Sequence, residues 1–251
     1  MNPPKPGYAL EIVGLNKAFG GLRVTQDISL RIRRGERRLI IGPNGAGKTT
    51  LFNQISGDMR PNSGRIRLFG ADVTTLAPYR RAHLGLSRTY QIITLFTGDT
   101  LEHNVTLGLL GLLPSRWQMW RPLSFYRDLA AKARRTLDTV GLLHLADHPI
   151  SEIAYGEKRR VELAMALAQK PRVLLLDEPL AGLSNSERST VKALIASISR
   201  ETTVVMIEHD MDTALDLAET VTLLNYGRVI VDGVRDDVIA DERTREVYLG
   251  N

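Results

Sequence analysis

The chain has 251 residues, 43% of them hydrophobic, and a formal net charge of +5. A chain of this length can bury a substantial core, in one large domain or in two small lobes. It contains no cysteine, which excludes disulfides, thiolate metal sites and a cysteine nucleophile. Its longest apolar run, residues 105–113, is much shorter than the roughly 20 residues that a membrane-spanning helix needs. We therefore expect a soluble chain whose contact with a membrane is made through a partner.

Arginines cluster at four places in the sequence: residues 31–38, 79–83, 132–135 and 158–160. Clustered cations can bind nucleic acid, but these clusters are scattered and have few aromatic residues among them. Solvated faces with a general attraction for anionic ligands and lipid headgroups explain them more simply. We therefore predict solvated faces and no nucleic-acid partner.

The N-terminal part of the chain contains alternating and apolar segments that are typical of strands. Residues 9–19 alternate as in an edge strand, and residues 27–36 predict a second strand of a hairpin-like layer. Residues 38–42 are a short apolar run that predicts a buried strand, and residues 48–57 predict a helix ending at a glycine. Residues 63–73 predict a further antiparallel pair. An antiparallel layer is therefore expected beside the first buried strand.

The middle of the chain, residues 92–150, is helical in pattern and predicts a helical lobe inserted between strands. Residues 128–143 place four apolar side chains on one helical face: Leu129, Ala133, Leu137 and Val140.

From residue 156 onwards, predicted helices and strands alternate. The helices are residues 156–169, 185–200 and 211–218, and the strands are residues 172–178, 203–209 and 220–227. Buried strands that alternate with helices favour a parallel sheet covered on both faces. The predicted fold class is α/β, with a mixed or parallel sheet core, an antiparallel β layer and an inserted α-helical lobe.

The segment GPNGAGKTT, residues 42–50, matches the phosphate-loop pattern G-x-x-x-x-G-K-[ST]. It follows a predicted strand and opens a predicted helix, the context in which the pattern is specific. Glycine lets backbone amides approach a phosphate, Lys48 adds a positive charge, and Thr49 supplies a hydroxyl for Mg²⁺. A glycine-rich turn without a ligand does not explain so complete a match. The predicted phosphate-binding residues are Gly42, Pro43, Asn44, Gly45, Ala46, Gly47, Lys48, Thr49 and Thr50.

Two carboxylates end the apolar segment VLLLDEP, residues 173–179. Asp177 fits a role in holding Mg²⁺, and Glu178 fits the base that polarises an attacking water. The alternative is a pair of solvated acids at a strand end. Beside a phosphate loop, the functional interpretation is favoured.

Three further side chains are weaker candidates. His209 ends the strand TVVMIEH, at the edge where open α/β sheets bind ligands, and fits a γ-phosphate contact, although a lone histidine is more often structural. Gln91 follows a strand where the helical region begins, and its amide could ligate Mg²⁺ or water. Phe19 precedes two glycines at the end of the first strand, where it is either core or a platform on which adenine stacks.

Together these motifs resemble those of the ATP-binding-cassette ATPases, over essentially the whole chain. The phosphate loop, Gln91, a helical lobe, the segment IAYGEKRR, LLLDEP, LAGLS and His209 occur in that family's order. The resemblance implies a single domain over residues 1–251, with a RecA-like core and antiparallel layer in 1–91 and 151–251 and a helical subdomain in 92–150. It implies ATP and Mg²⁺ as cofactors, with Thr49, Gln91 and Asp177 serving the metal.

The resemblance also implies a role for the segment at residues 153–157. The family's signature is usually L-S-G-G-Q, and it binds the γ-phosphate of a nucleotide held by the partner's phosphate loop in a head-to-tail dimer. Here the matching contacts are Ala154, Tyr155, Gly156 and Glu157. Ala154 lacks the usual hydroxyl, a loss of roughly 1.5–3 kcal/mol for a hydrogen bond to a charged group, while backbone donors remain. A second departure is Ser184, which stands where the family commonly has Asp.

A narrower resemblance is carried by AYGEKRR, LDEPLAGL, IEHDM and VYLG. These segments are similar to those of the ATP-binding subunits of branched-chain amino acid importers and their urea and short-chain amide relatives, especially the longer of the two ATPases of such systems. Residues 109–129 fit that subunit's insertion. The resemblance implies membrane permease subunits as partners, a second ATPase subunit in a heterodimer or a homodimer, and a peripheral position on the cytoplasmic face of the membrane. The alternatives are the ATPase of a lipid or lipopolysaccharide exporter and a non-transport ABC ATPase.

Overall fold

The computed structural model describes residues 7–91, 93–113, 125–208 and 214–249. Its strands are β1 (Tyr8–Phe19), β2 (Leu22–Arg33), β3 (Arg37–Ile41), β4 (Ser63–Leu68), β5 (Ala71–Asp72), β6 (Leu86–Arg88), β7 (Val173–Asp177), β8 (Thr203–Ile207), β9 (Thr220–Asn225) and β10 (Arg228–Val234). Its helices are α1 (Lys48–Ser56), α2 (Pro78–His83), α3 (Leu101–Leu110), α4 (Arg127–Thr139), α5 (Tyr155–Ala168), α6 (Asn185–Ser197), α7 (Arg235–Ala240) and α8 (Glu242–Leu249). None of the helices in these ranges has the length and apolar composition needed to cross a membrane.

The antiparallel sheet has four strands in the order β2-β1-β4-β5. The predicted hairpin of β1 and β2 and the predicted pair β4 and β5 are confirmed. The expectation that β1 is an edge strand is wrong, because it pairs with β2 on one side and β4 on the other. Alternating burial shows only that one face of a strand is covered, so it does not distinguish an internal from an edge position.

The second sheet has six strands in the order β10-β9-β3-β8-β7-β6, all parallel except β10. Strands β3, β7 and β8 are buried on both faces, as predicted. In β7, for example, Val173 and Leu175 pack towards the antiparallel sheet, whereas Leu174 and Leu176 pack towards the opposite face. The carboxyl ends of β3, β7 and β8 lie at one edge of this sheet, so the segments that follow them meet there.

The helices occupy three positions around the sheets. Helix α1 packs in the core between the two sheets, and α5 and α6 cover the other face of the parallel sheet. Helices α3 and α4 form a third apolar cluster with one side of α5. Three residues of the apolar face predicted for residues 128–143, Ala133, Leu137 and Val140, are in this cluster and Leu129 is also buried, although α4 ends earlier, at Thr139. The lobe boundaries at residues 92 and 150 stay a prediction. Residues 211–213 of the predicted helix 211–218, and residues 114–124 of the insertion, lie outside the described residues.

The arginine clusters are not all solvated, and that prediction is wrong for one residue in each of three clusters. Arg38, Arg81 and Arg159 are buried, with exposures of 4%, 1% and 1%. Arg81 donates to the carbonyl oxygens of Gln54 and Ile55 at the end of α1. A run of arginines in the sequence therefore does not show which of them bond groups inside the protein, as Arg38 bonds side chains and Arg81 bonds backbone.

Candidate nucleotide site

The phosphate loop connects β3 to α1 at the carboxyl edge of the parallel sheet. Gly47 is the N-terminal cap of α1 and has φ +99°, and a Cβ there would lie 2.5 Å from the carbonyl oxygen of Val24 in β2. The same oxygen would lie 2.5 Å from a Cβ at Gly227. Glycine is therefore required where the loop passes the hairpin, and the unpaired first-turn amides of α1 face the loop.

Lys48 begins α1 and is 5% exposed. Its ammonium donates to the carbonyl oxygens of Gly42 at 2.6 Å and Pro43 at 3.1 Å, which hold it against the loop. Burial lowers the pKa of Lys48, while the charges of Glu178 and Asp177 act in the opposite direction. A desolvated ammonium near this loop is suited to pairing with phosphate oxygens.

A cavity of about 230 Å³ lies along the loop. It is lined by Val24, residues 44–50, Gln91 and Glu178, which brings together most of the predicted phosphate contacts with two of the predicted catalytic residues. Gly42, Pro43, Asp177 and Phe19 do not line it. A larger cavity of about 510 Å³ lies on the α8 side of the loop and is lined in part by residues 43–46. Neither Gln91 nor Glu178 lines it, so the smaller cavity is the candidate site.

Asp177 ends β7 and is 1% exposed, so it is not a solvated acid. Its Oδ2 accepts from Arg88 at 2.8 Å, and its Oδ1 is buried with no hydrogen-bond partner in the described chain. Arg88 also donates to Asn53 at 2.7 Å and pairs with Asp58 at 3.1 Å, which ties β6 to the end of α1. Arg88 was not predicted from the sequence, although a cation three residues before Gln91 at a strand end was a usable signal.

Glu178 follows Asp177 and is 6% exposed. Its φ is +47°, a backbone conformation that costs a residue with a side chain about 1–3 kcal/mol. Its amide donates to the carbonyl oxygen of Ile207 at 3.0 Å, and its Oε2 accepts from Gln91 Nε2 at 3.0 Å. The strained turn thus aims this carboxylate into the cavity, where Gln91 holds it.

Two further buried charges fix the segment after β7, and neither was predicted. Glu208 accepts from the amide of Leu180 at 2.8 Å. Arg159 of α5 donates to the carbonyl oxygens of Asp177 at 2.8 Å and of Glu178. The backbone that presents the two acids is therefore held from both sides.

The segment at residues 154–157 begins α5 and does not line the cavity. Ala154 is the N-terminal cap and carries no side-chain acceptor, although Glu157 Oε2 accepts from its amide at 2.8 Å. Ala154 and Tyr155 are exposed, whereas Gly156 is buried. Ala154 and Tyr155 are thus accessible to another molecule, whereas no residue of the segment lines the cavity at this chain's own phosphate loop.

The backbone amide of Gly156 is already hydrogen-bonded to a carboxylate of the same chain. Glu187 Oε1 accepts from that amide at 3.1 Å, and Glu187 Oε2 accepts from the amide of Ser184 at 2.9 Å and from its hydroxyl at 2.6 Å. The bonds from Ser184 are the main cause of a lowered pKa of Glu187. Ser184, which departs from the family's Asp, is here the N-terminal cap of α6.

Phe19 ends β1, opposite Leu22 across the hairpin turn, and is 48% exposed. Lys17 Nζ lies 5.3 Å from its ring centroid. The alternative that Phe19 is a core residue is therefore wrong, while its stacking role stays a prediction. His209 lies outside the described residues. The strand that leads to it, β8, does lie beside β7, with Ile207 opposite Asp177.

The known proteins that are similar to this chain in sequence agree on one family. A family model described as ABC transporter matches residues 25–181. A probable ABC transporter ATP-binding protein of Azorhizobium caulinodans is 35% identical over 96% of this chain and 83% of its own length. The high-affinity branched-chain amino acid transport ATP-binding protein BraF of Pseudomonas aeruginosa is 34% identical over 96% of this chain and 97% of its own length.

Solved structures agree with this fold over nearly the whole chain. The ADP conformation of MJ1267, an ATP-binding cassette of an ABC transporter, superposes with a TM-score of 0.87 and 27% identity, covering 97% of this chain and 99% of that one. CbiO1 of Clostridium perfringens, part of an ABC transporter complex, gives 0.80 and 28%, covering 97% and 96%. From the phosphate loop, the acids after β7 and these matches, we conclude that the chain belongs to the ABC transporter family and is an ATP-binding, ATP-hydrolysing subunit.

Proposed function

We propose that this chain drives an importer for branched-chain or other hydrophobic amino acids, or for related small solutes. The proposal rests on one observation: the phosphate loop, Gln91 and Glu178 line the same cavity. The named relative BraF, which matches over almost its full length, supports amino acids as the solute class.

We assign Mg²⁺ to the oxygens of Thr49, Gln91 and Asp177. The orphaned, buried Oδ1 of Asp177 fits such a role, and Gln91 uses its NH₂ group on Glu178, which leaves its carbonyl oxygen for a ligand. The described residues contain no cluster of three His, Cys, Asp or Glu side chains for a metal, which suits an ion whose remaining ligands are phosphate oxygens and water. When bound, Mg²⁺ neutralises charge developing on the phosphates.

The hydrolytic roles follow from charge and position. Lys48 pairs with the phosphates, and the amides of the phosphate loop bind them. Glu178 orients the attacking water and accepts its proton, since its carboxylate is the one that lines the cavity. His209 contacts the γ-phosphate in this proposal.

The segment 154–157 serves a nucleotide held by a second ATPase subunit. ATPases of this family dimerise and work with membrane permease subunits. Because Ala154 lacks a hydroxyl, two copies of this chain would form two weakened sites, so we propose a heterodimer with a different ATPase subunit. Slow ATP hydrolysis by the isolated chain supports this pairing. Fast hydrolysis together with a stable ATP-bound homodimer on size-exclusion chromatography contradicts it.

The permease contact is assigned to the helical lobe and the segment after Gln91, on the cytoplasmic face of the membrane. Tyr90, which directly precedes Gln91 and is 41% exposed, and Phe96, five residues after Gln91 and 60% exposed, offer apolar surface for a permease helix.

The test uses the transporter purified through a tag on this chain and reconstituted in lipid vesicles. ATP-dependent uptake of labelled leucine is expected, and competition by valine, urea and acetamide defines the solute. Glu178→Gln should bind ATP normally and lower turnover about 10²–10⁴-fold, the usual contribution of a positioned base. Near-normal turnover would remove Glu178 from the mechanism, and ATP hydrolysis stimulated only by lipid would replace the importer assignment with an exporter.

A further inference from the structure

Arg159 is a fully buried arginine whose five N–H donors all have acceptors. Its Nε donates to the carbonyl oxygen of Pro179 at 3.2 Å. One terminal nitrogen donates to the carbonyl oxygen of Tyr90 at 2.9 Å and to Glu162 Oε2 at 2.7 Å. The other donates to the carbonyl oxygens of Asp177 and Glu178. Five donors and five acceptors match completely, so the geometry depends on a forked guanidinium.

These acceptors belong to the segments that present the catalytic candidates. Tyr90 directly precedes Gln91, and Asp177 and Pro179 flank Glu178. Glu178 is the residue with φ +47°, and its own carbonyl oxygen is bound by Arg159. A strained backbone persists only where neighbouring groups over-determine it, and Arg159 supplies that restraint.

Arg159 itself lies in the second turn of α5, whose first turn carries the segment 154–157. One side chain therefore joins the helix that serves the partner's nucleotide to the loop that serves this chain's own nucleotide. A shift of α5 pulls on the carbonyl oxygens that set the orientation of Glu178 and the position of Gln91.

We propose that Arg159 is a positioning residue for ATP hydrolysis. It couples the orientation of Glu178 and Gln91 to the position of α5. This inference rests on the roles assigned to Glu178 and to the segment 154–157 under the proposed function. Misplacement of a reacting group by about 1 Å can lower a rate by about 10²-fold. Loss of Arg159 should therefore lower kcat by about 10²-fold and leave the Kd for ATP unchanged, because no atom of Arg159 lines the cavity.

The variants must separate positioning from simple stabilisation. Arg159→Lys keeps a charge for Glu162 but has three donors at one point, so it cannot reproduce the fork. The pair Arg159→Gln with Glu162→Gln removes both charges, which avoids leaving a buried carboxylate unpaired. Arg81→Gln is the matched control, because Arg81 is also 1% exposed and also bonds backbone carbonyls, yet lies away from Gln91 and Glu178. It should lower the Tm without lowering the kcat of the folded protein.

The decisive measurement combines these variants with Glu178→Gln in the tagged transporter complex, with kcat, the Kd for ATP and the Tm determined for each. If Arg159 acts through Glu178, adding the Arg159 variants to Glu178→Gln lowers kcat by less than the product of the two separate losses, any remainder being the part that acts through Gln91. The inference is overturned if the Arg159 variants change only the Tm, or if their loss multiplies in full with that of Glu178→Gln. A large loss in Glu178→Gln with normal turnover in the Arg159 variants overturns this inference alone, whereas normal turnover in Glu178→Gln also overturns the proposed base.

Discussion

Phe19→Ala is expected to weaken ATP binding about 5- to 150-fold while leaving the fold intact. The ring is 48% exposed at the end of the hairpin whose next strand, at Val24, lines the cavity. Stacking of a base on such a ring contributes about 1–3 kcal/mol, and each 1.4 kcal/mol changes the Kd tenfold. Because the side chain is not in the core, its removal should change the free energy of unfolding by only about 0.5 kcal/mol.

The assay is calorimetric titration of ATP into the Glu178→Gln protein, with and without Phe19→Ala, beside urea unfolding of each. Leu22→Ala is the matched control, since Leu22 lies opposite Phe19 in the hairpin and is 68% exposed, and it should leave the Kd unchanged. Phe52→Ala, in the core at 0% exposure, should instead lower the free energy of unfolding by about 3–5 kcal/mol. The stacking argument is refuted if Phe19→Ala keeps the wild-type Kd.

Two further predictions concern the charges around the loop. Since burial lowers the pKa of Lys48, the ATP-free protein loses this charge at a pH below the ordinary lysine value of 10.5, and the affinity for ATP should fall as the pH rises through that range. Lys48→Arg, which stays charged, should show no such fall in a titration of Kd against pH, and an identical alkaline profile would contradict the assignment. Arg88→Met should lower the free energy of unfolding by about 3–5 kcal/mol, because it leaves the carboxylate of Asp177 buried and unpaired. Chemical denaturation measures this change, and a loss below about 1 kcal/mol would show that Asp177 is satisfied by other groups.

The parts of the site that could be predicted from the sequence are those specified locally. The loop from Gly42 to Thr50 is a contiguous pattern whose backbone follows from its glycines, and Asp177 and Glu178 stand out because an apolar strand ends in two acids. Their meeting point also follows, because the carboxyl ends of parallel strands share one edge of a sheet.

The parts that could not be predicted depend on contacts between distant segments. Arg159 sits within a basic run that is indistinguishable by composition from a solvated face, and only the packing of α5 against β7 shows that its donors bind backbone. The bond from Gly156 to Glu187 joins residues 31 positions apart, and both ends look like ordinary helix starts. The internal position of β1 is likewise fixed by β4, which the alternation within β1 does not reveal.

The contact of the Val24 carbonyl with Gly47 and Gly227 has a consequence for how such a site can evolve. The distance between the hairpin that carries Phe19 and the loop that carries the phosphate amides is set by backbone against backbone, with no side chain between them as a spacer. Substitutions elsewhere change which side chains the two elements carry, whereas this spacing depends on the absence of a side chain at Gly47. A side chain at Gly47 would place a Cβ 2.5 Å from the carbonyl oxygen, so the hairpin and the phosphate loop would have to move apart and the base and the phosphates could no longer be held at the same separation.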